Sequence, residues 1–409
     1  MSPNLAKLKE DYFRLLEDPR ALQELGLVRD SSAIQPIRPL DGKNIGGALA
    51  QASLESLLIA ALDKDEPLEF SGRLLEDLIE RGGSEQSTLD KSREEVLSTI
   101  DRIRLSFPIP YLLADFPLSY PFNAATVLRR EGALVLVNRG LTDMIWFAAN
   151  LFVSTVGIQF MDGTAEVGTM DPMPFSKEGI TASFAEVILA YLQHKNAHAA
   201  GHLLPQFGRK RSIVVAYLMN ESIKFVIAHE FAHIIAGHLT NDVRSPGSSD
   251  KDDLVAQVVI QVFKSLERDS LSHRLTRRGS ASVGQQWVKE IDADQAGLRI
   301  LFAALGSLEG ERKLFIDARK PLFEFIAAAP FFLFGLYGLI GEVEKARVGL
   351  KGRILLSDHP PVELRVEFVK MTYKSWGMPQ LPRMANQILD WIASVQESVV
   401  EAAVSKLNS

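Results

Sequence analysis

The chain has 409 residues, with 45 Lys and Arg against 51 Asp and Glu, a formal net charge of -6. It therefore lacks the basic footprint of a general nucleic-acid partner. Hydrophobic residues at 46% and charged residues at 23% exclude wholesale disorder and leave room for a sizeable core. Cysteine is absent, which excludes disulfides and thiolate metal sites and leaves His and carboxylates as the ligands for any zinc.

In chain order, residues 1–106 read as a helical N-terminal region with charged faces. Its first stretch, MSPNLAKLKEDYFRLLED, has no apolar core of the kind a secretory signal needs, so a cytoplasmic protein is expected. Leu89, Val96, Ile100 and Ile103 recur at helical spacing, and RGGSEQS at 81–87 breaks one segment from the next. FPIPYLLADFPLSYPF (107–122) is punctuated by proline and reads as irregular, the way into a second unit. EGALVLVNRGL (131–141) reads as one short strand over Ala133, Leu134, Val135, Leu136 and Val137.

Residues 144–161 and 325–341 carry no charge. Both fall short of the ~20 apolar residues of a bilayer span. Asn150, Ser154, Thr155 and Gln159 interrupt the first and Pro330 the second, so both are read as buried core helices, with membrane contact of the second as the alternative. In QHKNAHAAGH, His194, His198 and His202 repeat at helical spacing; without a carboxylate beside them they read as a plain polar face rather than a second metal site. A long helix is expected from Ser212 to Leu239, a polar lid or linker at 241–253, and further helices at 254–269, 284–304 and 311–345. An amphipathic helix at 384–407 closes the chain.

The chemistry is concentrated in HEFAHIIAGH (229–238). On a helix, His229 and His233 project from one face and can share a metal, while Glu230 sits one step round, where it can take a proton from water. Such a site needs a third ligand and an open position. His238 falls about 140° from His233 on an ideal helix, so it is expected to point elsewhere. KEIDADQAGL (289–298) offers the third ligand: Glu290 completes a His₂Glu set, and Asp294, one turn on, can accept the free N–H of a ligand histidine. In SDHPPVELR (357–365), two prolines hold His359 outside a helix that Arg365 joins, and either residue could reach a developing oxyanion.

HEFAH, Glu290 with Asp294, and His359-Pro360 with Arg365, in this order, resemble the M48-type zinc metallopeptidases of the gluzincin group. PFNAATVLRREGALVLVNRGL (121–141) is similar to that family's strand segment. The likeness spans roughly 107–383 and departs from the family in the long interval 150–220 and in the lack of clear membrane spans. It implies an α+β, predominantly helical fold. This would be a zincin-like domain over 107–383 with an HExxH helix, an ExxxD helix and a small edge-strand sheet, plus the N-terminal region 1–106 and a helix at 384–409. It implies one zinc ion per chain on His229, His233 and Glu290, Glu230 as general base, and Asp294 orienting a ligand. His359 and Arg365 would assist at the scissile carbonyl or position the ligands, and a peptide would pair with strand 133–137. His359 carries two readings: transition-state donor, or a fourth zinc ligand that keeps the enzyme latent.

A zinc-dependent endopeptidase acting on a protein or peptide substrate is thus the leading expectation, with no nucleic-acid partner. The alternatives are a structural or sensory zinc scaffold, and a phage-exclusion or toxin-type protease with one host substrate.

Overall fold

The computed structural model describes residues 112–115, 124–129, 132–155, 157–161, 164–168, 177–194, 197–200, 209–236, 238, 277–303, 320–349, 359–378 and 380–407. The expected N-terminal helical region, the lid or linker at 241–253 and the helix at 254–269 lie outside the described residues.

A three-stranded sheet opens the described fold. β1 (Leu112–Asp115) runs parallel to β3 (Gly132–Val137), which pairs antiparallel with β2 (Ala124–Arg129). The order is β1-β3-β2. The short strand expected at 133–137 is therefore present, but it lies in the middle of the sheet, and Ala133, Val135, Leu136 and Val137 are wholly buried. β1 also places a strand inside the stretch read as irregular. Its four residues, LLAD, sit between prolines that mask so short a run.

β3 feeds α1 (Arg139–Thr155), whose Asn150 and Ser154 side chains turn back to the carbonyls of Trp146 and Asn150. These local bonds let a core helix carry polar residues without orphaned donors. The uncharged run 144–161 is not one helix: α1 stops at Thr155, and β4 (Gly157–Met161) forms a hairpin with β5 (Thr164–Gly168). α2 (Lys177–His194) follows, ending at an exposed His194, and a 3₁₀ turn (Ala197–Ala200) holds the backbone of His198. The three-histidine face expected there does not form on one helix; the side chains of His198 and His202 lie outside the described residues.

The centre is α3 (Arg209–Ile235). From Val214 to Ile234 it is apolar nearly all round, as a helix walled in on every side must be. α4 (Arg277–Ala303), α5 (Lys320–Arg347), α1 and the sheet pack around it. α6 (Val362–Ser375) lies on α4 and α5, and α7 (Arg383–Leu407) packs along α5 more extensively than any other pair of elements. The whole is predominantly helical with a small sheet, the zincin-like α+β arrangement expected.

Candidate metal centre

α3 and α4 build the centre between them. Gly297 makes this possible: a Cβ there would stand 3.0 Å from the His229 backbone nitrogen and 3.1 Å from its Cα. With only hydrogen at that position, α4 lies directly on α3, and Glu290 and Asp294, on the same face of α4 as Gly297, reach the histidines.

His229 Nε2 and His233 Nε2 are 3.1 Å apart. Glu290 Oε2 is 3.4 Å from the first and Oε1 is 3.5 Å from the second. Zinc held about 2.0–2.2 Å from tetrahedral N and O ligands separates those ligands by about 3.3–3.6 Å, which the two His–Glu distances match, while the two histidine nitrogens stand slightly closer. The three side chains are buried and form the one cluster among the described residues suited to a metal.

The donor set fits as well as the distances. His229 Nδ1 lies 2.9 Å from Asp294 Oδ1. A carboxylate only accepts, so Nδ1 carries the hydrogen and Nε2 presents a bare lone pair to Glu290. Lone pairs and carboxylate oxygens converging on one point require a cation. When no metal shields it, the cluster draws in a proton: burial disfavours a charged His229, but hydrogen bonds to Asp294 and Glu290 outweigh it and raise its pKa to about 10. Burial, and then the charge on His229, hold His233 down at about 3. Burial alone would raise Glu290, yet His229 and His359 keep it well below the ordinary carboxylate range.

Glu230 projects from the same turn of α3 and is 8% exposed. The Thr126 hydroxyl, from β2, donates to its Oε2 at 2.6 Å. Burial raises the Glu230 pKa, and the opposing pull of His229 and Thr126 does not cancel it. A raised carboxylate suits a group that must take a proton and give it back.

Of the two expected roles for Arg365, its contacts fit the positioning one, while the expectation for the substrate strand is corrected. Arg365 Nε and one terminal nitrogen donate to Asp294 Oδ2 and Oδ1 at 2.8 and 2.6 Å, and the guanidinium lies 4.3 Å from the centre of the Phe334 ring. It is buried, and both its charge and its fork are engaged with Asp294. Burial would raise Asp294, but Arg365 and His229 bring it below its ordinary value. Residues 133–137, in turn, have no edge to offer a peptide, because β3 is hydrogen-bonded to β1 over 133–136 and to β2 over its whole length. The strand beside Glu230 is β2, which has no second strand partner among the described residues.

His359 comes where the sequence puts it, at the start of α6, with Nδ1 3.2 Å from Glu290 Oε2 and its side chain 65% exposed. Sequence reasoning missed Thr126, Gln286, which donates to Glu290 Oε1 at 3.1 Å, and His238, whose Nδ1 lies 3.1 Å from that of His233. For Gln286 the signal was present, four residues before Glu290 on the same face. Thr126 offered none.

Residues 179–372 match the model for Peptidase family M48. The matched span runs from within α2 to within α6, holds His229, Glu230, His233, Glu290, Asp294, His359 and Arg365, and begins downstream of the sheet and of Thr126. No curated protein and no solved structure matches the chain. Residues 179–372 thus carry the match to Peptidase family M48, and the motifs within them come together in a geometry that suits a metal.

Proposed function

We propose that this chain is an endopeptidase in which His229, His233 and Glu290 hold zinc and Glu230 is the general base. The observation that carries the reading is the arrangement of Glu230: buried, on the same helical turn as His229, and tied by Thr126 to β2, the outer strand of the sheet among the described residues. Bound zinc supplies Lewis-acid chemistry, lowering the pKa of water toward ~7 and polarising a carbonyl.

Glu230 accepts one proton from the attacking water as its oxygen bonds to the scissile carbonyl carbon. It returns that proton to the leaving nitrogen as the C–N bond breaks, so that an amine and a carboxylic acid result, and the acid gives its remaining proton to solvent. His359, at the exposed rim beside Glu290, is assigned the developing oxyanion. Its latent-ligand alternative finds less support, since His359 lies outside the close group of His229, His233 and Glu290. A substrate segment is assigned to the outer edge of β2 by strand addition. Because Thr126 sits mid-strand, chain laid along β2 extends to both sides of Glu230, which suits an internal bond.

The test compares new protein N-termini in cells carrying the wild-type chain or Glu230→Gln, together with zinc content of the purified proteins. Glu230→Gln is expected to keep zinc and lose about 10²–10⁴-fold in hydrolysis. New termini that persist unchanged in the variant would refute the assignment.

A further inference from the structure

His238 lies outside the HEFAH core, and an ideal helix would aim it away from His233. The helix does not continue that far. α3 ends at Ile235, and the His238 amide donates to the His233 carbonyl at 3.0 Å, a six-to-one closure of the kind that terminates helices. Lys289 Nζ, from α4, donates to the His238 carbonyl at 2.8 Å and pins the turn. The His238 ring is thereby folded under His233: the two Nδ1 atoms are 3.1 Å apart and the rings meet nearly edge to face. On its far side, His238 Nε2 is 3.0 Å from Asp292 Oδ2. The His238 side chain is 8% exposed and that of Asp292 is 49% exposed.

Of two ring nitrogens at that distance, one donates and the other accepts. Asp292 can only accept, so His238 Nε2 carries the hydrogen and Nδ1 is left as the acceptor of the pair. His233 Nδ1 must then be the donor, which leaves His233 Nε2 bare and facing His229 and Glu290. Asp294 fixes His229 directly; Asp292 does the same for His233 through an intervening imidazole.

We propose that His238, oriented by Asp292, is a positioning residue for the metal, holding His233 in the tautomer and ring orientation that present Nε2 to zinc. The proposal rests on the zinc reading above and deepens it. A carboxylate beside a ligand histidine could do this alone. Here the carboxylate is on the rim, and the second imidazole carries its effect inward, so loss of a half-exposed surface group reaches the metal.

The experiment measures zinc affinity by chelator competition and the visible spectrum of the Co²⁺-loaded protein, on the full chain. The wild type, His238→Phe, His238→Gln and Asp292→Ala are compared, with the urea midpoint of each metal-free protein alongside. His238→Phe keeps a ring but removes the acceptor, and zinc binding is expected to weaken 10–100-fold. His238→Gln restores an acceptor toward His233 and a donor toward Asp292, and is expected to recover most of the affinity and the wild-type spectrum. A merely space-filling role would give the opposite order. If His238→Phe fails to fold, Asp292→Ala carries the test: the metal-free midpoint should hold while zinc weakens and the Co²⁺ spectrum shifts. Wild-type affinity and spectrum in both His238→Phe and Asp292→Ala would overturn the positioning role and leave the zinc reading standing. A wild-type chain that takes up no zinc would overturn both.

Discussion

Asp294 is wholly buried, lies 2.9 Å from His229 Nδ1, and carries a negative charge paired with the Arg365 guanidinium. Removing one partner of a buried ion pair strands the other, so Arg365→Ala is expected to lower stability by about 3–5 kcal/mol in urea unfolding. Arg365→Lys keeps the charge but loses the two-pronged geometry, and should recover only part of that. Equal stability of all three proteins would contradict the pairing. Thr126 permits a prediction of different kind. Its hydroxyl donates to ionised Glu230 and pulls the carboxyl pKa down against burial. In Thr126→Val that pull is gone, Glu230 keeps its proton to higher pH, and less of it is a competent base. The acidic limb of kcat/KM against pH should therefore move upward. An unmoved limb would detach Thr126 from the base. The sequence made His229, Glu230, His233, Glu290 and Asp294 readable because helical spacing alone puts them on shared faces. It left Arg365 between the scissile carbonyl and the ligands, since spacing says which helix a cation joins and not which carboxylate it meets.

Helices were legible wherever apolar periodicity ran long. α3, α4 and α7 lie close to their expected spans, α4 starting seven residues earlier than 284; α5 is described from Lys320, and the expected start at 311 lies outside the described residues. What failed were ends and neighbours. His238 was misplaced by extending α3 a few residues past its real stop, although the glycine at 237 is a common stop signal. β3 was found, yet its place between two partners depends on pairing with β1 and β2, and a strand's own residues do not state which edges are filled. The close approach of α4 to α3 is likewise a relation between elements, and Gly297 is where it can be broken. In Gly297→Ala the new methyl meets His229 backbone, which cannot swing aside as a side chain would. The helices must part by some tenths of an ångström, carrying Glu290 and Asp294 with them. A loss of about 1–3 kcal/mol is expected, as for other overpacked positions. Zinc affinity should fall in the same variant, because the ligand distances span both helices. Weaker folding with unchanged zinc affinity would mean that the site tolerates the shift.

At the scale of the whole molecule, the open question is what surrounds α5. Its Glu324–Arg347 segment is long and apolar enough to cross a membrane, yet 78% of its most apolar window is buried within the protein. α7 supplies much of that cover: Ile392 sits over Gly335, close enough that a Cβ there would stand 2.7 Å from Ile392 Cγ1. Trp391 packs on Phe152 of α1 and Phe184 of α2, binding α7 across the bundle. Tyr373 of α6 donates its hydroxyl to the Ala327 carbonyl, within the turn before Pro330. Contacts this specific bind α5 to its neighbours as a close-packed core does. Such a core loses stability when a large side chain is cut away. Trp391→Ala should cost about 3–5 kcal/mol, read in urea titrations of detergent-free protein, and should expose apolar surface of α1, α2 and α5 to aggregation. A bilayer-spanning α5 predicts a different result. The wild-type chain would then stay with membranes after a carbonate wash and need detergent to remain dispersed, and Trp391→Ala would leave that partition unchanged.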